Sequence, residues 1–125
     1  MRVALLATVL ALALPGDHAA ATYANGTLRL TFHYEMTCGQ PGPGPLTIQL
    51  PNAFRLDGAV VANRPSTVSG HAIAITVPGP TGVTCMSITE GTLRVTVAGV
   101  QAPAGAYVVR AGIRRHVFTA RLRIP

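Results

Sequence analysis

The amino-acid sequence predicts an all-β fold, a sandwich of two antiparallel sheets built from about seven short strands. Three observations carry this prediction. Apolar and polar residues alternate with period two along much of the chain, and almost nothing repeats at the helical period. Thirteen Gly and ten Pro gather largely between the alternating runs, where tight turns need them. A closed barrel is the alternative architecture for such strands.

The N-terminal residues have the composition of a cleavable export signal. A short basic start precedes an uncharged apolar run over residues 3–14, which is shorter than the roughly 20 residues that span a bilayer. Small residues follow a Pro-Gly break, so cleavage after Ala21 fits best and cleavage after Ala24 nearly as well. A buried N-terminal helix is the alternative. We therefore expect a signal peptide at 1–21 and one sandwich domain at 22–125, secreted by a bacterium.

The alternation predicts the strands of this domain in order. They are centred on residues 27–34, 46–50, 60–61, 71–77, 91–97, 106–110 and 117–124. The apolar members of the clearest alternating runs are predicted to face the core: Leu28, Leu30, Phe32, Tyr34, Leu46, Ile48, Leu50, Leu93, Val95, Val97, Phe118, Ala120, Leu122 and Ile124. The triplet Asn25-Gly-Thr27 is an N-glycosylation sequon, which we expect a bacterium to leave unused.

The two cysteines, Cys38 and Cys85, predict one disulfide, because they follow an export signal and allow a single intramolecular pairing. Closing a loop of that length stabilises a domain by about 4 kcal/mol on the chain-entropy model. A catalytic thiol or a pair of metal-binding thiolates is the alternative. A reactive cysteine needs a partner base and a metal site needs closely spaced cysteines, and the sequence has neither pattern.

Three segments resemble the immunoglobulin-like modules of secreted and cell-surface bacterial proteins. They are Leu46-Thr-Ile-Gln-Leu-Pro-Asn-Ala-Phe54, Val68-Ser-Gly-His-Ala-Ile-Ala-Ile-Thr-Val-Pro78 and Pro103-Ala-Gly-Ala-Tyr107. The resemblance covers about residues 45–111 and implies a two-sheet immunoglobulin-like sandwich with a role in adhesion or envelope structure. Two features depart from the antibody pattern: the chain has no Trp, and Val83 rather than Tyr stands two residues before Cys85.

The amino-acid composition limits the kinds of partner that the protein is expected to bind. Apolar residues make up 49% of the chain and charged residues only 11%, which favours a packed core under an uncharged polar surface. All ten basic residues are Arg, and the net charge is +6. A charge of that sign attracts anionic polymers. Colloidal solubility with a preference for Arg codons is the alternative, and no recognisable nucleic-acid module accompanies the charge.

The outward arginines are candidates for one basic face, if their strands are neighbours. They are Arg29, Arg94, Arg110, Arg121 and Arg123, with Arg114 and Arg115 beside them. Teichoic acid, lipopolysaccharide or an acidic polysaccharide would be suitable ligands for such a face.

The alternating Pro and Gly residues of 39–45 and 78–80 form a second candidate site. If Cys38 and Cys85 are bridged, these two loops meet at one end of the sandwich, where Pro41, Pro43 and Pro80 would contact a partner. Ordinary loop chemistry around a crossover is the alternative.

Catalytic and metal sites have little support in the sequence. His33 and Glu35 share one strand face and are the best fragment of a metal site, but a third ligand is missing. No pair of carboxylates and no serine elbow predicts a hydrolase. We therefore expect a protein that is not an enzyme, with no catalytic residue and no cofactor.

The function predicted first is a secreted binding or structural module of the cell envelope. Its partner would be another protein or an anionic envelope polymer, not a nucleic acid, and no membrane span would remain after signal cleavage. A secreted protease inhibitor that presents a Pro/Gly-rich loop is one alternative. A small extracytoplasmic metal-binding protein is the other.

Overall fold

The computed structural model describes residues 8–11, 18–36, 44–77, 89–113 and 116–125. These residues form antiparallel β-strands joined by turns, and no helix occurs among them. The predicted all-β antiparallel fold is thereby confirmed. The described part of the chain has twelve strands rather than about seven. Several of the additional strands are short edge strands, and two strands form a hairpin that the alternation of apolar and polar residues does not separate.

The strands in chain order are β1 (Thr8–Ala11), β2 (His18–Ala24), β3 (Thr27–Met36), β4 (Gly44–Gln49), β5 (Arg55–Leu56), β6 (Val60–Ala62), β7 (Ser66–Ser69), β8 (Ala72–Val77), β9 (Thr89–Val97), β10 (Val100–Gln101), β11 (Gly105–Ile113) and β12 (His116–Ile124).

Two sheets stack to form the sandwich. The large sheet has six strands in the order β1-β12-β11-β4-β8-β7, and the small sheet has four in the order β2-β3-β9-β6. The short strands β5 and β10 pair with each other outside these sheets. Leaving β5 and β10 aside, the described strands change sheet six times along the chain, after β1, β3, β4, β6, β8 and β9, so neighbours in a sheet are often distant in sequence.

The hairpin between β2 and β3 turns on Asn25 and Gly26. Both residues have positive φ, 52° and 77°, as a two-residue type I′ turn requires. The turn sets a register in which Ala24 pairs with Thr27 and His18 with His33. The hairpin is fastened at its closed end, where the amide of Val100 donates to the carbonyl oxygen of Gly26 at 2.8 Å.

The core between the sheets is apolar. Every residue predicted to face inward from the alternating runs is buried, which confirms the predicted strand faces. Phe32 of the small sheet meets Phe118 of the large sheet edge to face, with ring centroids 5.8 Å apart. Among the described residues no polar or charged residue is buried. The hydroxyl of Tyr34 is nevertheless buried with no hydrogen-bond partner in the described part of the chain.

Part of the predicted signal peptide lies in the sandwich. β1 pairs with the free edge of β12, and β2 begins at His18, four residues before the expected cleavage point after Ala21. Ala19 and Ala21 are 1% and 0% exposed and belong to the core. The predicted boundary between signal and domain therefore falls inside strand β2.

Cys38 and Cys85 lie outside the described residues, so their pairing stays a prediction. The strands nearest to them in sequence are β3 and β9, which are neighbours in the small sheet. Met36 and Thr89 are register partners there, two and four residues from the cysteines. A bridge would therefore join the segment after β3 to the segment before β9, and these two strands are neighbours in one sheet.

Candidate functional site

The structure separates the candidate arginines into two sets. Arg29 and Arg94 lie on the outer face of the small sheet, on the neighbouring strands β3 and β9. Arg110, Arg121 and Arg123 lie on the outer face of the large sheet, on β11 and β12. Because the core lies between the two sheets, these outer faces point in opposite directions. The expectation of one basic face over all five residues is therefore wrong.

The three arginines of the large sheet form one group, which we call the arginine surface. Arg121 and Arg123 are two residues apart on β12, so their Cβ atoms are about 7 Å apart. Arg110 pairs with Thr119 across the strands, which makes Arg121 its diagonal neighbour, at about 7–8 Å. All three side chains are exposed to solvent. The group offers three guanidinium ions to one ligand.

No carboxylate balances the arginine surface within its sheet. The six strands of the large sheet contain neither Asp nor Glu. The ion pair between Arg55 and Asp57, 3.6 Å apart, lies on the β5 segment outside this sheet. The large sheet thus presents a purely positive face, and its potential will attract anions.

The small sheet differs from the large sheet in its charged residues. Its strands carry Arg29 and Arg94, but they also carry Glu35 and Glu90, so the formal charges cancel. Glu35 and Glu90 are direct register partners. The strands of the small sheet thus carry no net formal charge, whereas those of the large sheet carry the three positive charges of the arginine surface.

A cavity adjoins the arginine surface. It has a volume of about 350 Å³ and is lined by Gln49, Leu50, Pro51, Asn52, Val108 and Arg110. Gln49 is the register partner of Arg110 across β4 and β11. The amide groups of Gln49 and Asn52 bring hydrogen-bond donors and acceptors to the rim of a cationic site. Such a combination suits an oxyanion attached to a polar backbone.

No known family model matches the chain, and no curated protein matches its sequence. The residues that the structure describes contain no helix long and apolar enough to cross a membrane.

The predicted metal fragment is in place but is not completed by further ligands in the described part of the chain. Nδ1 of His33 lies 3.2 Å from Oγ1 of Thr92, and the His33 ring stacks on His18 with centroids 5.0 Å apart. Glu35 is half-buried on the same strand. Among the described residues no group of three or more His, Cys, Asp or Glu side chains is placed to hold a metal ion.

The loop prolines cannot be compared with the prediction, since Pro41, Pro43 and Pro80 lie outside the described residues. The end of the first Pro/Gly segment differs from the expected loop. Gly44 and Pro45 begin strand β4, and Pro45 pairs with Thr76 of β8. These two residues therefore belong to a strand and not to the expected loop.

Sequence reasoning missed the cavity beside Arg110. Gln49 is an exposed residue of β4, and Asn52 lies in a turn after β4 and comes beside β11 only through the tertiary fold. No signal in the sequence points to that neighbourhood. By contrast, the hairpin of β2 had a signal, the Asn25-Gly26 pair flanked by alternating residues, which is the strongest short hairpin pattern.

Proposed function

We propose that this chain is an exported, immunoglobulin-like binding module that holds an anionic polymer of the cell envelope on its arginine surface. One observation carries the proposal: Arg110, Arg121 and Arg123 are exposed together on a sheet whose strands contain no carboxylate. Repeated phosphate, sulfate or carboxylate groups along a polymer would meet several guanidinium ions at once. Guanidinium ions bind such oxyanions in a bidentate manner.

The strand order supports the immunoglobulin-like part of the proposal. A constant-type immunoglobulin sandwich has strands A, B, E and D in one sheet and C, F and G in the other. Here β2, β3, β9 and β6 have the positions of A, B, E and D, and β4, β11 and β12 those of C, F and G. All seven follow in chain order. The hairpin β7–β8 is then an insertion between D and E that extends the sheet beyond C.

A side-chain feature also supports it. Tyr107 lies near the start of β11, the strand at position F, and its hydroxyl donates to the carbonyl oxygen of Pro103 at 2.7 Å. Immunoglobulin-like sandwiches have a tyrosine corner at this place, with the same backward bond. Val83, two residues before Cys85, precedes the strand at position E, so its identity does not bear on a tyrosine at position F.

A polyanion-binding assay tests the proposed ligand class. Linear polyphosphate and heparin, as probes, should bind the exported protein with an affinity that falls as salt rises, because binding releases counterions. Each arginine near an anionic surface contributes about 1 kcal/mol. We therefore expect R121Q/R123Q to weaken binding about 30-fold at low salt.

The chain offers a matched control for this assay. R29Q/R94Q removes the same two charges from the outer face of the small sheet, and it should weaken binding only about threefold, through the general field. Equal losses in the two double variants would contradict the arginine surface as the site. Binding that does not respond to salt would contradict the proposed function itself.

A further inference from the structure

We infer that removal of the signal peptide exposes an unpaired edge of β3 at residues 30–33, which we call the slot. The slot binds an extended segment of another exported protein that has small residues at alternate positions. This inference rests on the export step of the proposed function and not on the arginine surface. It is based on the position of the predicted cleavage site, which lies within strand β2. Cleavage after Ala21 would remove His18 to Ala21 with the signal and leave Thr22, Tyr23 and Ala24, whereas cleavage after Ala24 would remove the whole strand.

The residues that leave fill an edge of the small sheet. His18, Ala19, Ala20 and Ala21 are register partners of His33, Phe32, Thr31 and Leu30 in β3. Among the strands that the structure describes, no other pairs with β3 on that side, since β9 occupies the opposite side. After cleavage, the backbone amide and carbonyl groups of residues 30–33 that face the slot therefore have no strand partner. Unpaired strand edges of this kind are templates for another strand.

The departing segment also fills the core. Ala19 and Ala21 are 1% and 0% exposed, and they are the register partners of Phe32 and Leu30, with which they share the core. β2 packs against β12 of the opposite sheet, with Cα atoms within 8 Å. Stacked sheets are usually about 10 Å apart. Only small side chains fit between strands that approach so closely, so the slot selects Ala, Gly or Ser at alternate positions.

The opposite sheet loses an edge strand as well, because β1 pairs with residues 120–123 of β12. That edge is protected in a different way. Arg121 and Arg123 stand along it, and charged residues on an edge strand discourage pairing with other chains. The freed segment of β3 contains Leu30, Thr31, Phe32 and His33, with no formal charge. The edge of β3 is therefore the accepting one.

A second copy of this chain fits the slot poorly. The freed edge of β12 in a copy carries Arg121 and Arg123, which discourage pairing. The freed edge of β3 in a copy would bring inward residues that include Leu30, Phe32 and Tyr34. These side chains are far larger than the alanines they would replace, and overpacking a core is destabilising. After cleavage at Ala21, Thr22, Tyr23 and Ala24 would also still occupy the edge beside residues 27–29 and obstruct a long pairing. The occupant must be a different segment with small residues.

The first experiment determines the N-terminus of the exported protein by intact mass. We expect the mature chain to begin at Thr22, or at Asn25 if cleavage follows Ala24. A mature chain that begins at or before His18 would keep the strand in place and overturn the inference. Export and polyanion binding would be unaffected by that result, so the proposed function would still stand.

The second experiment adds a peptide to the mature chain. A capped peptide with the sequence of residues 16–21 should shift the backbone amide resonances of residues 30–33 and raise the melting temperature. The same peptide with phenylalanine at both buried alanine positions should bind about tenfold more weakly or not at all, because the bulky rings do not fit. If the mature chain lacks structure alone, only the alanine peptide should restore it.

A longer chain serves as the matched control. Residues 18–125, exported behind a foreign leader, keep the whole of β2 and should not bind the peptide. Equal binding of both peptides, equal binding by both chains, absence of binding, or a dimer of the mature chain with residues 30–33 protected would each overturn the inference. R121Q/R123Q should lose polyanion binding and keep peptide binding, which separates this test from that of the proposed function.

Discussion

The hydroxyl of Tyr107 donates a hydrogen bond of 2.7 Å to the carbonyl oxygen of Pro103, four residues earlier in the chain. The same ring packs edge to face on Phe54, with centroids 4.8 Å apart. Phe54 follows the turn that carries Asn52, and Nε2 of His71 lies 2.7 Å from the Phe54 carbonyl oxygen. Tyr107 thus joins the entry to β11 to the segment that lines the cavity beside the arginine surface.

Replacing Tyr107 by Phe should destabilise the domain by about 1 kcal/mol, because the ring contact remains and one hydrogen bond is lost. The melting temperature should fall by about 4–8 °C for a domain of this size. Chemical denaturation of the variant and the parent measures the difference. A variant with unchanged stability would show that the bond between Tyr107 and Pro103 contributes nothing to folding.

Replacing Tyr34 by Phe should not reduce the stability of the domain, in contrast to the replacement of Tyr107. The hydroxyl of Tyr34 is buried and has no partner among the described residues, so its removal relieves a desolvation cost of about 1–3 kcal/mol. We expect Tyr34→Phe to leave stability unchanged or to raise it, as measured by urea unfolding. A clear loss would mean that the hydroxyl bonds to a group outside the described residues.

Gly91 provides a second test of the packing around the Tyr34 hydroxyl. The two residues are register partners, and a Cβ on Gly91 would lie 2.3 Å from the Tyr34 hydroxyl oxygen. Gly91→Ala should therefore destabilise the parent through this clash. The loss should be smaller in the background of Tyr34→Phe, where one of the clashing atoms is absent. Equal losses in both backgrounds would contradict this contact.

Replacing Gly26 by Ala tests the hairpin turn. The φ of 77° disfavours any side chain, while the nearest atom to a new Cβ is the Val100 carbonyl oxygen at 3.7 Å, an ordinary contact. The cost is therefore conformational, about 1 kcal/mol. Gly26→Asn should cost less, because Asn tolerates this conformation. Equal losses for both variants, measured by thermal unfolding, would argue against the type I′ turn.

Replacing Cys38 by Ser should remove about 4 kcal/mol of stability if the predicted disulfide forms. Cys85→Ser should have the same effect, and the double variant should be no worse than either single one. Intact mass with and without reduction measures the bond in the exported parent. Alkylation of both thiols without a reductant would contradict the disulfide.

The alternation along each strand was readable from the sequence because it is local. A strand places neighbouring side chains on opposite faces, so Leu93 and Val95 are core residues and Arg94 is exposed wherever the strand lies. The Asn25-Gly26 pair is an equally local hairpin signal, although the triplet that it begins also matches a glycosylation sequon. The first half of β2 precedes the predicted cleavage point after Ala21, so the sequence predicts no strand of the domain there.

What the sequence by itself determined is therefore the β class, the inward and outward faces of the clearly alternating strands and the strongly positive charge. Only the tertiary structure decided which strands are neighbours. That choice separated Arg29 and Arg94 from the arginine surface, brought Asn52 beside Arg110 and placed Ala19 and Ala21 in the core. The physical reason is that side-chain alternation arises within a few residues. Strand pairing instead joins segments far apart in the chain, and the burial of the whole apolar surface selects the arrangement.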